Sequence, residues 1–176
     1  MEIKINKTAI VLACGDITKE TTDAIVNAAN ERLAGGAGVD GAIHLAGGPT
    51  IMAQCHQIGG CPTGQAVITT AGKLNAKYVI HTVGPIYHGG SKGEAGLLQN
   101  AYRNSLKLAQ EKMLQSISFP AISCGIYGYP QDEAARLAMK TCIEFASNNT
   151  GIKLIRHILF SRKIYDVFSA ELKKLV

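Results

Sequence analysis

The sequence has 176 residues, 47% of them hydrophobic and 18% charged, which fits one globular domain spanning residues 1–176, so no second domain is expected. No stretch reaches the roughly 18 to 20 apolar residues of a membrane span, and Met1-Glu2-Ile3-Lys4 lacks a signal peptide's apolar run, so a cytoplasmic protein without membrane contact is expected. The formal charge is +5, and between Ile152 and Val176 six basic residues against two acidic ones leave +4 of it.

Apolar, β-rich runs alternate with helical periodicities from end to end, the pattern of an α/β domain with helices covering a sheet. Strands are predicted at residues 3–5, 9–13, 24–27, 66–69, 78–82, 116–120 and 156–160, several of them apolar enough to be buried on both faces. After the third strand, Asn30 and Asp40 bracket a loop containing Gly35-Gly36-Ala37-Gly38, and a helix is predicted to start at Val39. Two polar side chains able to do chemistry thus flank nearly bare backbone whose N–H groups can approach an anion. Cys55-His56 with Cys61 offer three metal-ligating groups, but adjacent helical residues diverge by about 100° and no second motif completes a site, so no metal is expected. Five cysteines without a Cys-x-x-Cys pair also argue against a disulfide framework. Residues 84–91 and 123–130, rich in Gly, Pro and aromatics, are predicted loops of the kind that hold ligands beyond strand ends.

Three helices follow from apolar residues spaced by three and four: Leu98, Ala101, Tyr102, Ser105, Ala109 and Met113; then Ala134, Ala138, Thr141, Cys142 and Phe145; then Ile164, Val167, Phe168, Leu172 and Leu175. Lys153, Arg156, Arg162, Lys163, Lys173 and Lys174 could form a basic C-terminal face for nucleic acid. No aromatic or arginine-rich motif accompanies them, so nucleic acid is the weaker expectation.

Gly36-Ala37-Gly38-Val39-Asp40-Gly41 matches the dinucleotide pattern G-x-G-x-x-G only literally. Its glycines come about eight residues after the strand instead of directly after it, and no carboxylate stands about 20 residues on to hold a ribose. The P-loop also fails, since no Gly-Lys-Ser/Thr follows. Loops 35–38 and 123–128 contain no Lys or Arg, so phosphate there would be held by backbone N–H groups, each charge-assisted bond contributing roughly 1.5–3 kcal/mol.

The strings Gly15-Asp16-Ile17-Thr18, Asp23-Ala24-Ile25-Val26-Asn27-Ala28-Ala29-Asn30 and Gly38-Val39-Asp40-Gly41-Ala42-Ile43-His44 resemble the macrodomain family in its MacroD-like branch. So do Gly60-Cys61-Pro62-Thr63-Gly64-Gln65-Ala66, Val79-Ile80-His81-Thr82-Val83-Gly84-Pro85 and Phe119-Pro120-Ala121-Ile122-Ser123-Cys124-Gly125-Ile126-Tyr127-Gly128-Tyr129-Pro130, in the family's order. The resemblance implies a three-layer α/β/α sandwich around a mixed sheet, with ADP-ribose or O-acetyl-ADP-ribose in a cleft at its crest and no cofactor or metal. It implies that Asp16 accepts from the adenine amino group, with the Ile17 backbone at the ring edge and Phe160 stacked on the base. Helix N-capping by Asp16 and a core position for Phe160 are the alternative roles. Gly36, Ala37, Gly38 and Val39 match the first diphosphate loop, and Ser123, Gly125, Ile126 and Tyr127 the second.

Many relatives carry glycine at the position of Ala37, threonine at that of Cys124 and a basic residue at that of Leu45. Asn30 and Asp40 match the pair that contacts the distal ribose in hydrolytic members; a turn residue and a helix-start carboxylate are their bland alternatives. His44, His81 and His88 have no matching partner in the sequence and are read as structural or rim residues. The implied activity is removal of mono-ADP-ribose from modified, especially acidic, side chains of proteins and deacetylation of O-acetyl-ADP-ribose, with a non-catalytic ADP-ribose reader as the rival.

Overall fold

The computed structural model describes residues 1–148 and 151–176. All seven predicted strands form, each within two residues of its predicted ends: β1 (Glu2–Ile5), β2 (Thr8–Cys14), β3 (Ala24–Ala28), β4 (Ala66–Thr70), β5 (Tyr78–Thr82), β6 (Ser116–Phe119) and β7 (Leu154–Leu159). They make one sheet in the order β1-β2-β7-β6-β3-β5-β4. The edge strands β1 and β4 run antiparallel to their neighbours, and the five between them are parallel, so the sheet is mixed.

Five helices cover it: α1 (Gly38–Gly47), α2 (Pro49–Ile58), α3 (Glu94–Glu111), α4 (Gln131–Asn148) and α5 (Arg162–Leu175). Alternation along the strands sends side chains into two cores. Ile25 and Val79 meet Ile43 of α1 and Ile51 and Cys55 of α2 on one face. Val26 and Ile80 meet Leu98 and Tyr102 of α3, Met139 of α4 and Phe168 of α5 on the other. The result is the expected three-layer α/β/α sandwich. Among the described residues no helix is long and apolar enough to cross a membrane.

Two local readings change. Helix α2 was not among the predicted helices, because only Ile51 and Cys55 of it are buried and its apolar period is faint. Its signals are at its ends: Pro49 in the first turn, and Gly59 at the C-cap with φ 89°. Met113, expected on the apolar face of α3, lies beyond the helix and is 86% exposed. There it adopts φ 56°, while Leu114 donates to the Ala109 carbonyl and Met113 to that of Gln110, the two bonds of a Schellman ending.

Candidate functional site

Parallel strands bring their carboxyl ends to one crest of the sheet, and the segments that follow them enclose a cleft of about 640 Å³. Gly15 to Ile17 follow β2, Ala29 and Asn30 follow β3, Gly84 follows β5, Pro120 to Tyr127 follow β6, and Phe160 and Ser161 follow β7. All the residues singled out from the sequence line this cleft: Asp16, Ile17, Asn30, Gly36, Ala37, Gly38, Val39, Asp40, Ser123, Gly125, Ile126, Tyr127 and Phe160. No Lys or Arg lines it among the described residues.

At one end Asp16 caps a single 3-10 turn, its Oδ1 accepting from the Thr18 N–H (2.9 Å) and hydroxyl (2.7 Å). The Thr18 hydroxyl and then its N–H hold the Asp16 carboxyl below its ordinary range. Capping therefore uses one oxygen and leaves Oδ2 for a ligand. Phe160, just past the end of β7, is 88% exposed beside it, so it is not the core residue its strand position allowed.

Along the middle, the two loops present backbone. Among the described residues, no acceptor within the chain meets the N–H groups of Gly36, Ala37, Gly125, Ile126 or Tyr127. Asn30 shapes the first loop, its amide donating to the Gly35 carbonyl (2.9 Å) and accepting from the Ala34 N–H (3.1 Å). Gly38 opens α1 with φ 62°, where any side chain would be strained. In the second loop Ser123 takes φ 63° and donates its hydroxyl to the Pro85 carbonyl (2.8 Å). A Cβ on Gly84 would overlap that hydroxyl and Ile122, so β5 and β6 can close around Ser123 only with glycine there. The N-termini of α1, α4 and α5 reach the cleft at Gly38, Gln131 and Ser161, adding their partial positive charge to a site that lacks cations.

At the far end Asp40, in the first turn of α1, is 5% exposed. Its Oδ1 accepts from Asn27 Nδ2 at 2.8 Å and lies 3.3 Å from His44 Nε2, one helical turn on. Both contacts use Oδ1, which leaves Oδ2, beside Gly36, to the cleft. Tyr127 reaches the same end: burial, then the charges of Asp40 and Glu31, push its phenol up, so it remains a hydroxyl donor. His44 thus has the partner that the sequence reading did not find, although its i, i+4 spacing from Asp40 was visible. Gln131, Ser161 and Asn27 were not singled out either. A glutamine after Pro130 and a serine before a basic helix carry no sequence signal of a cleft.

Behind Asp40, His44, Cys55 and His81 bring three potential ligand atoms within 4.8 Å of one another. Both ring nitrogens of His81 already have partners in Asn27 and Thr69, burial and then the Asp40 charge raise the Cys55 thiol, and among the described residues His44 Nδ1 is buried without a hydrogen-bond partner. Cys61, the other cysteine of the expected trio, faces the Pro62 carbonyl, and His56 is exposed. In the C-terminal stretch Arg156 is paired with Glu20 (2.6 Å) and Arg162 with Asp166 (2.9 Å), while Lys174 meets Glu171. Arg156 lies on β7, whereas Arg162, Lys163, Lys173 and Lys174 all lie on α5.

Comparison with known proteins gives one consistent picture. The family model described as Macro domain matches residues 26–138. An Escherichia coli (strain K12) protein named O-acetyl-ADP-ribose deacetylase is 54% identical over 147 residues, covering 81% of this chain and 83% of its own. A Chlorobaculum tepidum protein named macro domain-containing protein is 53% identical over 157 residues, covering 89% of this chain and 91% of its own. Among solved structures, the Oceanobacillus iheyensis macrodomain with ADP matches with a TM-score of 0.96 and 45% identity, covering 99% of this chain and 95% of that one.

Proposed function

The chain belongs to the macro domain family, and from that premise we propose that it binds ADP-ribose in the crest cleft and hydrolyses bonds at the distal ribose. The reactions are deacetylation of O-acetyl-ADP-ribose and release of mono-ADP-ribose from modified acidic side chains, both without a metal. The observation that carries this reading is Asp40: a buried carboxylate with one oxygen fixed by Asn27 and His44 and the other left to the cleft. A pure reader has no need of such a group.

In this reading the Asp16 Oδ2 accepts from the adenine amino group, the Ile17 backbone meets the ring edge and the Phe160 ring stacks on the base. The free N–H groups of the two loops hold the diphosphate, and Tyr127 closes over it. Asn30 orients the distal ribose, its amide able to donate and accept while it holds its own loop. Asp40 positions a ribose hydroxyl or a water held between substrate phosphate and the scissile carbon, so that proximity supplies much of the rate. For the acetyl ester, the water oxygen bonds to the carbonyl carbon, the bond from carbonyl carbon to ribose oxygen breaks, and that oxygen leaves as a hydroxyl. Five unpaired cysteines support a reducing, cytoplasmic setting.

Substituting Asp40→Ala should lower turnover of O-acetyl-ADP-ribose by about 100-fold or more while ADP-ribose affinity stays within about 3-fold. Asp16→Ala should do the reverse, weakening binding by about 10-fold through loss of one charge-assisted hydrogen bond. Tight ADP-ribose binding with no turnover of either the acetyl ester or a glutamate-linked substrate would sink the enzymatic claim.

A further inference from the structure

Behind Asp40 lies a chain of buried polar groups that the reaction described above does not touch. Asn27 on β3 and His81 on β5 are neighbours in the parallel register, and both are fully buried. Thr69 on β4 stands beyond them and is also buried. Asn27 Nδ2 carries two hydrogens and has two partners: Asp40 Oδ1 at 2.8 Å and His81 Nδ1 at 3.1 Å. His81 Nε2 in turn lies 2.9 Å from the Thr69 hydroxyl, which donates to the Thr70 carbonyl at 3.0 Å.

Donor and acceptor chemistry orders this chain in one direction. The Asp40 carboxylate only accepts, so the amide nitrogen of Asn27 must face it, and that leaves Asn27 Oδ1 buried without a partner. With its nitrogen so placed, Asn27 donates its second hydrogen to His81 Nδ1, which must then be bare. His81 carries its proton on Nε2 and gives it to Thr69, whose own hydrogen is directed to the Thr70 carbonyl. A bare Nδ1 requires a neutral ring. Burial, followed by the neighbouring His44, pushes His81 down to about 4, consistent with that requirement.

The isolated buried Oδ1 is the informative cost. Turning the amide over would give that oxygen no proton to accept from the carboxylate, so the arrangement holds only because two acceptors converge on one nitrogen. We propose that Asn27 and His81 are positioning residues for Asp40: His81, anchored by Thr69, fixes the orientation of the Asn27 amide, and the amide fixes Asp40 Oδ1 so that Oδ2 faces the cleft. The proposal rests on the hydrolytic reading of the site. It assigns a catalytic consequence to a histidine that is 0% exposed, enclosed between the sheet and helices α1 and α2.

Two substitutions separate positioning from bulk structure. His81→Asn places a side-chain oxygen where Nδ1 stands and keeps the acceptor for Asn27, whereas His81→Leu removes it at similar size. His81→Leu should lower kcat for O-acetyl-ADP-ribose by 10-fold or more with the Kd for ADP-ribose unchanged within about 3-fold; His81→Asn should restore kcat to within about 3-fold of the parent protein. Unchanged kcat in His81→Leu would overturn the proposal, and so would a parallel loss of kcat and ADP-ribose binding in both variants. Long-range nitrogen NMR of the unmodified protein gives a readout independent of turnover. A His81 signal of the Nε2–H tautomer supports the chain, and the Nδ1–H tautomer or a charged ring at pH 7 overturns it. If the unmodified protein binds ADP-ribose but turns nothing over, the hydrolytic reading fails, and the tautomer still decides whether the amide of Asn27 is oriented as described.

Discussion

Ala37 concentrates what a single residue can do in this cleft. Relatives often carry glycine there, which suggests a backbone that only glycine can follow, yet its φ of −91° and ψ of −176° are extended values open to any residue. The Cβ therefore costs nothing in backbone freedom. What Ala37 lacks is a cap: it is the N-cap of α1, and its side chain accepts no hydrogen bond from the first turn. Ala37→Asp should therefore raise stability by about 1 kcal/mol, seen as a rise in Tm of about 2–4 °C. The same carboxylate would stand among the N–H groups proposed to hold the diphosphate, so ADP-ribose affinity should fall by about 10-fold or more. Calorimetry showing undiminished affinity in a stabilised variant would remove the diphosphate from this loop. The sequence located Ala37 in the cradle but could not give its backbone angles, because Asn30, seven residues earlier, sets the path of the loop through Ala34 and Gly35. The pairing of Asp40 with His44 was different: helical spacing alone would have revealed it.

At the scale of elements, the loop of residues 84–93 shows how a segment without secondary structure is made rigid. Glu94, at the start of α3, accepts from the N–H groups of His88 (2.9 Å), Gly90 (3.2 Å) and Lys92 (2.7 Å). Burial opposes its charge, but its own N–H and those three hold its pKa down at about 2. A carboxyl depressed on folding contributes stability that is present above its ordinary pKa of 4.5 and is lost as pH falls from there towards 2. The loop carries this order onward, since the Tyr87 N–H donates to the Tyr127 carbonyl at 2.9 Å and the Tyr87 and Tyr129 rings meet at 4.9 Å. Glu94→Gln keeps one acceptor oxygen of two. Amide exchange at positions 88, 90 and 92 should then quicken, and ADP-ribose should bind more weakly through the loosened loop at 123–128. Unchanged exchange would mean that packing, and not the carboxylate, holds the loop. Strands were legible in the sequence because apolar runs such as Ala24-Ile25-Val26 are buried on both faces and admit little else. Helix α2 was not, because two buried residues in ten do not make a period. The strand order was equally hidden, since it depends on which crossovers pack, a property no single segment carries.

For the whole molecule the question is how a chain of net charge +5 would bind the proposed dianion in a cleft lined, among the described residues, by two aspartates and no cation. Net charge supplies a long-range attraction, but ions screen it over about 8 Å at physiological strength. The short-range binding must come from fixed dipoles: two loops of free N–H groups and the starts of α1, α4 and α5, all set by the sheet. Fixed dipoles at contact distance are nearly insensitive to salt. A polyanion on the C-terminal stretch would instead meet surface cations, of which Arg156, Arg162 and Lys174 are paired with Glu20, Asp166 and Glu171. Two binding modes therefore separate in one titration. ADP-ribose affinity should change by no more than about 3-fold between about 50 and 200 mM salt, whereas nucleic acid held by 6 to 10 phosphate contacts would lose roughly 1,000-fold or more. Isothermal calorimetry with ADP-ribose and with a short duplex at both concentrations measures this directly. A steep salt dependence for ADP-ribose would mean that mobile cations outside the cleft, not the backbone cradles, dominate binding.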